Sequence, residues 1–190
     1  IYTNIKKAVK FLLSSNMGEV IALFIATLLG FTLFKPVHIL WINLVTDTFP
    51  ALALGVEPAE DDVMSRKPRD SKAPFFTRKM WLEIFIHGLV EGGLTLGVFL
   101  VAINNYGGIV ATTMAFITLG LTQLFHALGA RFEIKSFFHS PLSNKMMILA
   151  FLGSGLLQVM VVIIRPLREA FSLVMLNGNQ WLIAISASIF

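Results

Sequence analysis

An all-α fold, a polytopic bundle of membrane-spanning helices, is predicted by three observations. The 190-residue chain is 56% hydrophobic and only 14% charged, with a mean hydropathy of +0.78. Soluble domains carry about 25% charged residues, so too little charge is present to coat a water-facing surface. The apolar residues also gather in stretches of about 20, the length a helix needs to cross a bilayer. Finally, Lys and Arg concentrate on alternate connections between those stretches. With 17 Phe and no Cys, the composition excludes a disulfide-stapled secreted module, a thiolate zinc site and a disordered chain.

Taken in order, residues 11–34, between Lys10 and Lys35, are the first candidate span. Residues 36–56 are the second, with Pro36 at a helix start, where a missing N–H costs little. Residues 80–103, 109–130 and 146–164 are the third to fifth, and residues 181–190 make the first half of a sixth. Residues 34–36 are expected to form a tight turn, and residues 104–108 (NNYGG) another. The 57–79 loop is long, charged and punctuated by Pro; 131–145 is basic; 165–180 is expected to hold a short interfacial helix. Residues 1–190 thus read as one transmembrane domain. The chain opens on Ile1 and Tyr2 with no signal-peptide pattern and stops at Phe190 inside an apolar run. It is therefore expected to be a fragment of a longer polypeptide.

The basic balance, net charge +4 and pI near 9.6, is a topology signal. Lys6, Lys7, Lys10, Arg66, Lys67, Arg69, Lys72, Arg78, Lys79, Arg131, Lys135 and Lys145 fall on one side of the spans. Only Lys35, Arg165 and Arg168 fall on the other. The positive-inside rule then places the N-terminus and the 57–79 loop in the cytoplasm. The partner implied is membrane lipid; no nucleic acid is called for.

Polar groups inside spans carry the functional signal, because an ionised side chain at a helix centre costs about 2.5–3.5 kcal/mol on the insertion scale. In the first span Asn16 and Glu19 are three apart and share a helix face. In the second, Asn43, Thr46 and Asp47 stand at i, i+3 and i+4. Packed as antiparallel neighbours, the two helices can aim five oxygen-bearing side chains into one space. Hard cations such as Ca²⁺ take six to eight oxygens of mixed kinds. Pro50 adds to the supply, because it frees the carbonyl four residues back, that of Thr46; freed carbonyls in interrupted helices commonly coordinate ions. The bland alternative, amides that merely bond across helices, holds better for Asn16 or Asn43 alone than for a cluster with two acids and a Pro.

These residues carry a resemblance. SSNMGEV (14–20) followed by ILWINLVTDTFPALALGVEP (39–58) resembles the P-type Ca²⁺-transporting ATPases of the sarcoplasmic/endoplasmic reticulum type and their prokaryotic relatives. The opening IYTNIKKAVKFLLSSN looks like the stalk leading into the fifth transmembrane helix of that family, and EDDVMSRKPR (60–69) is similar to its loop between helices six and seven. The chain would then be helices five to nine and part of ten. The resemblance implies that Asn16, Glu19, Thr46 and Asp47 are ligands of a first calcium site, and that Asn43 and Asp47 serve a second, with Asp47 bridging both. Gln123, in TQLFHAL, falls where those pumps have a first-site Glu. It is either a weakened ligand or an interhelical hydrogen bond. One ion per cycle is then expected, although Glu19 keeps two possible.

Ca²⁺ is on this resemblance the transported ion, with ATP and Mg²⁺ belonging only to the full-length protein. No DKTGT phosphorylation motif and no GxxxxGK[ST] loop stand in these residues, so the fragment alone is expected to hydrolyse nothing. Its implied partners are cytoplasmic domains and helices one to four upstream in the same polypeptide. With the site emptied, Glu19 and Asp47 would lie close together at membrane depth. Desolvation and like-charge repulsion both favour the protonated forms, so protons are expected to replace departing cations.

The third span holds Glu83, His87 and Glu91 at i, i+4 and i+8. They form either a proton path or a protonated Glu bonded to a neighbouring helix. The second is favoured, because Gly88, Gly92, Gly93 and Gly97 give GxxxG spacings that mark close helix packing. His126 and Gln158 are expected to make interhelical bonds; His139 carries no signal. Other readings of the whole are a pump for Mn²⁺ or a monovalent ion, an ion-coupled secondary transporter or channel using the same acids, and a purely structural module. The membrane implied is the plasma membrane of a prokaryote.

Overall fold

Long apolar stretches in a chain with few breakers become helices, since in lipid every backbone polar group must be bonded within its own segment. The computed structural model describes residues 1–58, 74–131 and 144–189. The helices are α1 (Tyr2–Leu28), α2 (Pro36–Ile42), a π-helical segment (Asn43–Thr48), α3 (Phe49–Gly55), α4 (Arg78–Tyr106), α5 (Gly108–Ala130), α6 (Lys145–Ile163), α7 (Arg165–Ala170) and α8 (Gly178–Ser188). Among the described residues there is no strand. Five helical stretches among the described residues are long and apolar enough to cross a membrane, with α2, the π segment and α3 counting as one from Pro36 to Gly55. The quoted EDDVMSRKPR loop, the lysines and arginines at 66, 67, 69, 72 and 135, and His139 lie outside the described residues.

The first helix differs from expectation at both ends. It starts at Tyr2, the Lys-bearing stalk being helical throughout, and it stops at Leu28 rather than Phe34. Gly30 is the cause: at φ +82° it turns the chain back, so that its N–H reaches Thr27 O at 3.0 Å and the Phe31 N–H reaches Ala26 O at 2.9 Å. That pair of bonds is the Schellman stop, and the turn expected at 34–36 becomes an extended run before Pro36. α4 likewise runs past Ile103 to Tyr106, where Gly107 at φ +91° breaks it. Side chains cap three other starts: Thr77 accepts from the Met80 N–H, Asn144 from Met147 and Asn177 from Gln180.

The outer face of the bundle is apolar, and polar side chains are buried among the apolar core. Leu40, Leu149 and Leu182 are 66–71% exposed, while Ser14, Thr95, Thr118 and Gln158 are fully buried. Lipid supplies no hydrophobic drive between helices, so small residues and polar bonds hold them together. α5 sits at the centre, with Ala111, Met114, Phe116, Ile117 and Leu119 all within the main core. α1 packs most extensively on α4, where Gly88 and Gly92 meet Met17 and Gly18. A Cβ on Gly92 would stand 2.6 Å from the Gly18 carbonyl oxygen. Gly93 and Gly97, from the same GxxxG spacing, face open space. Gly120 leaves room for Gln158, which accepts from Trp41 Nε1 at 3.1 Å and donates to Phe116 O at 2.9 Å.

Two polar clusters tie the ends. At the Lys/Arg-rich end, Arg131 is 2% exposed and pairs with Glu57 at 3.0 Å. Lys7 Nζ donates to Arg131 O at 2.6 Å, and Asn144 donates to Ala53 O and to Glu57. At the other end buried His38 accepts the Lys35 N–H at Nδ1, 3.1 Å away, which leaves Nε2–H to donate to Phe171 O at 2.7 Å. Phe34, Phe116 and Phe171 enclose that ring.

Candidate cation site

The second span cannot be a plain α-helix, because Pro50 has no N–H for the Thr46 carbonyl. The chain answers by widening: from Asn43 to Thr48 the winding is π-helical, and the Thr48 hydroxyl donates to Asn43 O, five residues back, at 2.7 Å. Such π turns inside α-helices are frequent at functional sites. Ser154 of α6 steadies this one by donating to Val45 O at 2.6 Å. Asn43, Thr46 and Asp47 all lie on this segment, which presents them toward α1 and α5.

Glu19 on α1 is 3% exposed and Gln123 on α5 fully buried, and these two complete the cluster. Gln123 Nε2 donates to Glu19 Oε1 at 3.1 Å. The Thr46 hydroxyl lies 2.8 Å from Gln123 Oε1 and 2.9 Å from Ile42 O, its one proton shared between them. Asn43 Nδ2 reaches Glu19 Oε2 at 3.5 Å. Asp47 is 1% exposed, yet neither of its carboxylate oxygens has a hydrogen-bond partner among the described residues. Ser15 of α1 lies beside it.

Five of the six residues singled out from sequence are therefore together: Glu19, Asn43, Thr46, Asp47 and Gln123. Asn16 is not with them. It sits on an exposed face of α1 with Val20 and Phe24, and its Nδ2 donates to Leu12 O at 2.7 Å. The three-residue offset from Glu19 turns it off the buried side. Gln123 makes the interhelical bonds that were one of its two readings, and makes them to the cluster itself.

The second polar set divides. Glu83 bonds Lys10 at 3.1 Å and lies 3.6 Å from Lys79, near the Lys/Arg-rich end. His87 stacks on His126 with ring centroids 4.5 Å apart. Glu91 is 2% exposed and bonds His126 Nδ1. The interhelical bond expected of His126 is made to this acid.

Sequence reasoning missed Ser15, whose place beside Asp47 lies within the quoted SSN run, and missed that Glu91 adjoins the cluster. The signal for Glu91 was Gly18 facing Gly88 and Gly92, a pairing between helices that no spacing within one helix reveals. Chemically the cluster offers carboxylate, amide, hydroxyl and carbonyl oxygen and no soft donor, which suits a hard cation. No three His, Cys, Asp or Glu side chains among the described residues converge to hold an ion unaided. The neutral oxygens are thus integral to any such site.

The family model described as cation transporting ATPase, C-terminus, matches residues 31–190. Among curated proteins, the chain is 41% identical over 95% of its length to calcium-transporting ATPase 1 of Bacillus cereus, covering 22% of that protein. It is 39% identical over 99% of its length to the calcium-transporting ATPase of Bacillus subtilis, again covering 22%. To calcium-transporting ATPase type 2C member 1 of Mus musculus it is 36% identical over 90% of its length, covering 19%. The chain thus spans about a fifth of the length of the curated relatives it matches.

Proposed function

The chain belongs to the family of cation transporting ATPase C-termini, and from that premise we propose that it is the ion-binding membrane part of an ATP-driven pump that exports Ca²⁺ from the cytoplasm and returns protons. Asp47 carries the reading. A carboxylate only 1% exposed, with neither oxygen hydrogen-bonded among the described residues, is costly at membrane depth, and a divalent cation offsets that cost. The names of the relatives supply the ion, calcium.

On this reading Asp47 and Glu19 provide the charge, and Asn43, Thr46 and Gln123 provide neutral oxygens. The Thr46 carbonyl, left without its helical donor by Pro50, adds a backbone oxygen. Gln123 must turn its amide for its oxygen to serve the ion, which releases Glu19 and Thr46 together. Asn16 joins when an upstream helix of the same polypeptide packs on the exposed face it shares with Val20 and Phe24. ATP, Mg²⁺ and phosphoryl transfer belong to cytoplasmic domains elsewhere in that polypeptide, so the 190 residues alone are catalytically inactive. After the ion leaves, Glu19 and Asp47 hold uncompensated charge side by side, and protons take its place. The Lys/Arg distribution sets the N-terminus in the cytoplasm, and the Bacillus relatives favour a prokaryotic plasma membrane.

The test is ⁴⁵Ca²⁺ uptake into sealed inside-out vesicles by the full-length protein, with internal pH followed in parallel. Asp47→Asn should abolish uptake, and uptake by the unsubstituted protein should alkalinise the lumen. Undiminished uptake by Asp47→Asn would overturn the site, and Ca²⁺ uptake without a pH change would remove the proton step.

A further inference from the structure

One buried acid adjoins the cation site without an assigned part in it. Glu91, on α4, is 2% exposed. His126 of α5 holds its Oε1, while its Oε2 has no hydrogen-bond partner among the described residues. Glu91 lies near enough to both Glu19 and Asp47 for the three carboxyl groups to interact. A glycine makes this approach possible: a Cβ on Gly18 would stand 3.0 Å from Glu91 Cβ and 3.3 Å from Glu91 Oε2. Gly18 immediately precedes Glu19, so the missing side chain leaves room for a second carboxylate beside the first. Unpartnered oxygens of three fully buried residues therefore gather here, from Glu91, Asp47 and Ser15. A Glu serving only to join α4 to α5 would need the His126 bond alone. The second oxygen is buried without a donor among the described residues and has lost its hydration, and a cation supplies it with a partner.

We propose that Glu91 is a further carboxylate of the cation site, facing the ion through water from the α4 side and held in position by His126. The inference rests on the calcium-pump reading above. Water stands between for two reasons. No three acids or histidines among the described residues converge on one point, so Glu91 does not stand as a third direct acid beside Glu19 and Asp47. A cavity of about 680 Å³, walled by Glu91, Thr122 and His126 but by none of the five cluster residues, also leaves room for water on one side of the carboxylate. Calcium sites of other folds likewise reach one ligand through water.

The test uses the full-length pump in sealed vesicles, with ⁴⁵Ca²⁺ uptake measured against free Ca²⁺. Glu91→Gln keeps the shape and removes the charge. Its half-saturating Ca²⁺ should rise about tenfold, as when outer partners of metal sites are removed, with the rate at saturating Ca²⁺ retained. Gln123 touches both Glu19 and Thr46, so Gln123→Glu returns a carboxylate to the site from α5. Added to Glu91→Gln, it should bring half-saturation most of the way back, and Glu91→Asp should lie between the unsubstituted pump and Glu91→Gln. Unchanged Ca²⁺ dependence in Glu91→Gln overturns the proposal. So does a defect that Gln123→Glu leaves untouched and Glu91→Asp shares in full, because that pattern belongs to packing. If Glu91→Gln fails to reach the membrane, the double variant and Glu91→Asp decide by the same comparison. Uptake that Asp47→Asn abolishes and Glu91→Gln leaves unaltered overturns this inference alone; no Ca²⁺ uptake by the unsubstituted pump overturns it together with the calcium reading.

Discussion

At Gly92 a single hydrogen atom decides how close two helices come. A Cβ there would stand 2.6 Å from Gly18 O and 3.2 Å from Ile21 Cβ, both on α1, and backbone cannot yield as a side chain tip can. Gly92→Ala is therefore expected to push α1 from α4 and destabilise the protein by about 1–3 kcal/mol, the usual cost of overpacking. Its neighbour Gly93 meets nothing within 4 Å, so Gly93→Ala should be neutral or stabilising by about 0.5–1 kcal/mol through helix propensity. Thermal inactivation of the detergent-solubilised full-length protein measures both, and equal effects would refute the packing assignment. GxxxG spacing marked four glycines alike, yet only Gly88 and Gly92 lie in the contact. Spacing identifies a face only when the partner helix is known, and that is why half of the motif was misleading. Glu19 and Asp47, by contrast, were legible as site candidates, since an acid inside a span needs a reason to be there wherever its neighbours lie.

The second span shows what one residue does to an element. Pro50 withholds a donor, the winding opens to a π turn over Asn43–Thr48, and the polar residues of the segment are carried toward α1 and α5. Pro50→Ala restores the donor for the Thr46 carbonyl and should let the α winding run through. Asp47 would then turn away from Glu19. Loss of about one such contact is worth roughly 1.4 kcal/mol, so half-saturating Ca²⁺ for uptake by the full-length protein should rise about tenfold. A Pro50→Ala protein with unaltered Ca²⁺ dependence would show that the widened turn does not serve the site. The freed carbonyl was legible from the Pro alone; the π winding was not, because a missing donor can equally be met by a kink or a water. Element ends behaved similarly. The stop at Leu28 depended on Gly30 adopting a positive φ, one of several conformations open to a glycine.

For the whole molecule, buried Arg131 and part-buried Glu57, just past the ends of α5 and α3, tie together segments far apart in sequence, with Lys7 from α1 and Asn144 ahead of α6 bonded into the pair. Arg131→Met leaves Glu57 with its charge unmatched. It should cost about 3–5 kcal/mol, whereas replacing both partners, Arg131→Met with Glu57→Leu, should be much milder. Midpoints of thermal inactivation for the two full-length proteins test this, and equal losses would mean the pair acts through something other than its charges. Sequence alone determined that the chain is a helical membrane bundle and which residues are candidate ligands, while the helix ends came out differently, as at Leu28 and Tyr106. Those conclusions depend on composition, on period and on the cost of charge in lipid, all of them local quantities. Only the tertiary structure decided that Gln123 bridges Glu19 and Thr46, that Asn16 stands apart on an exposed face and that Glu91 adjoins the site. Each of those facts depends on how helices are rotated against one another. That rotation is set by small contacts such as Gly18 on Gly92 and Gln158 over Gly120, which no single stretch of sequence contains.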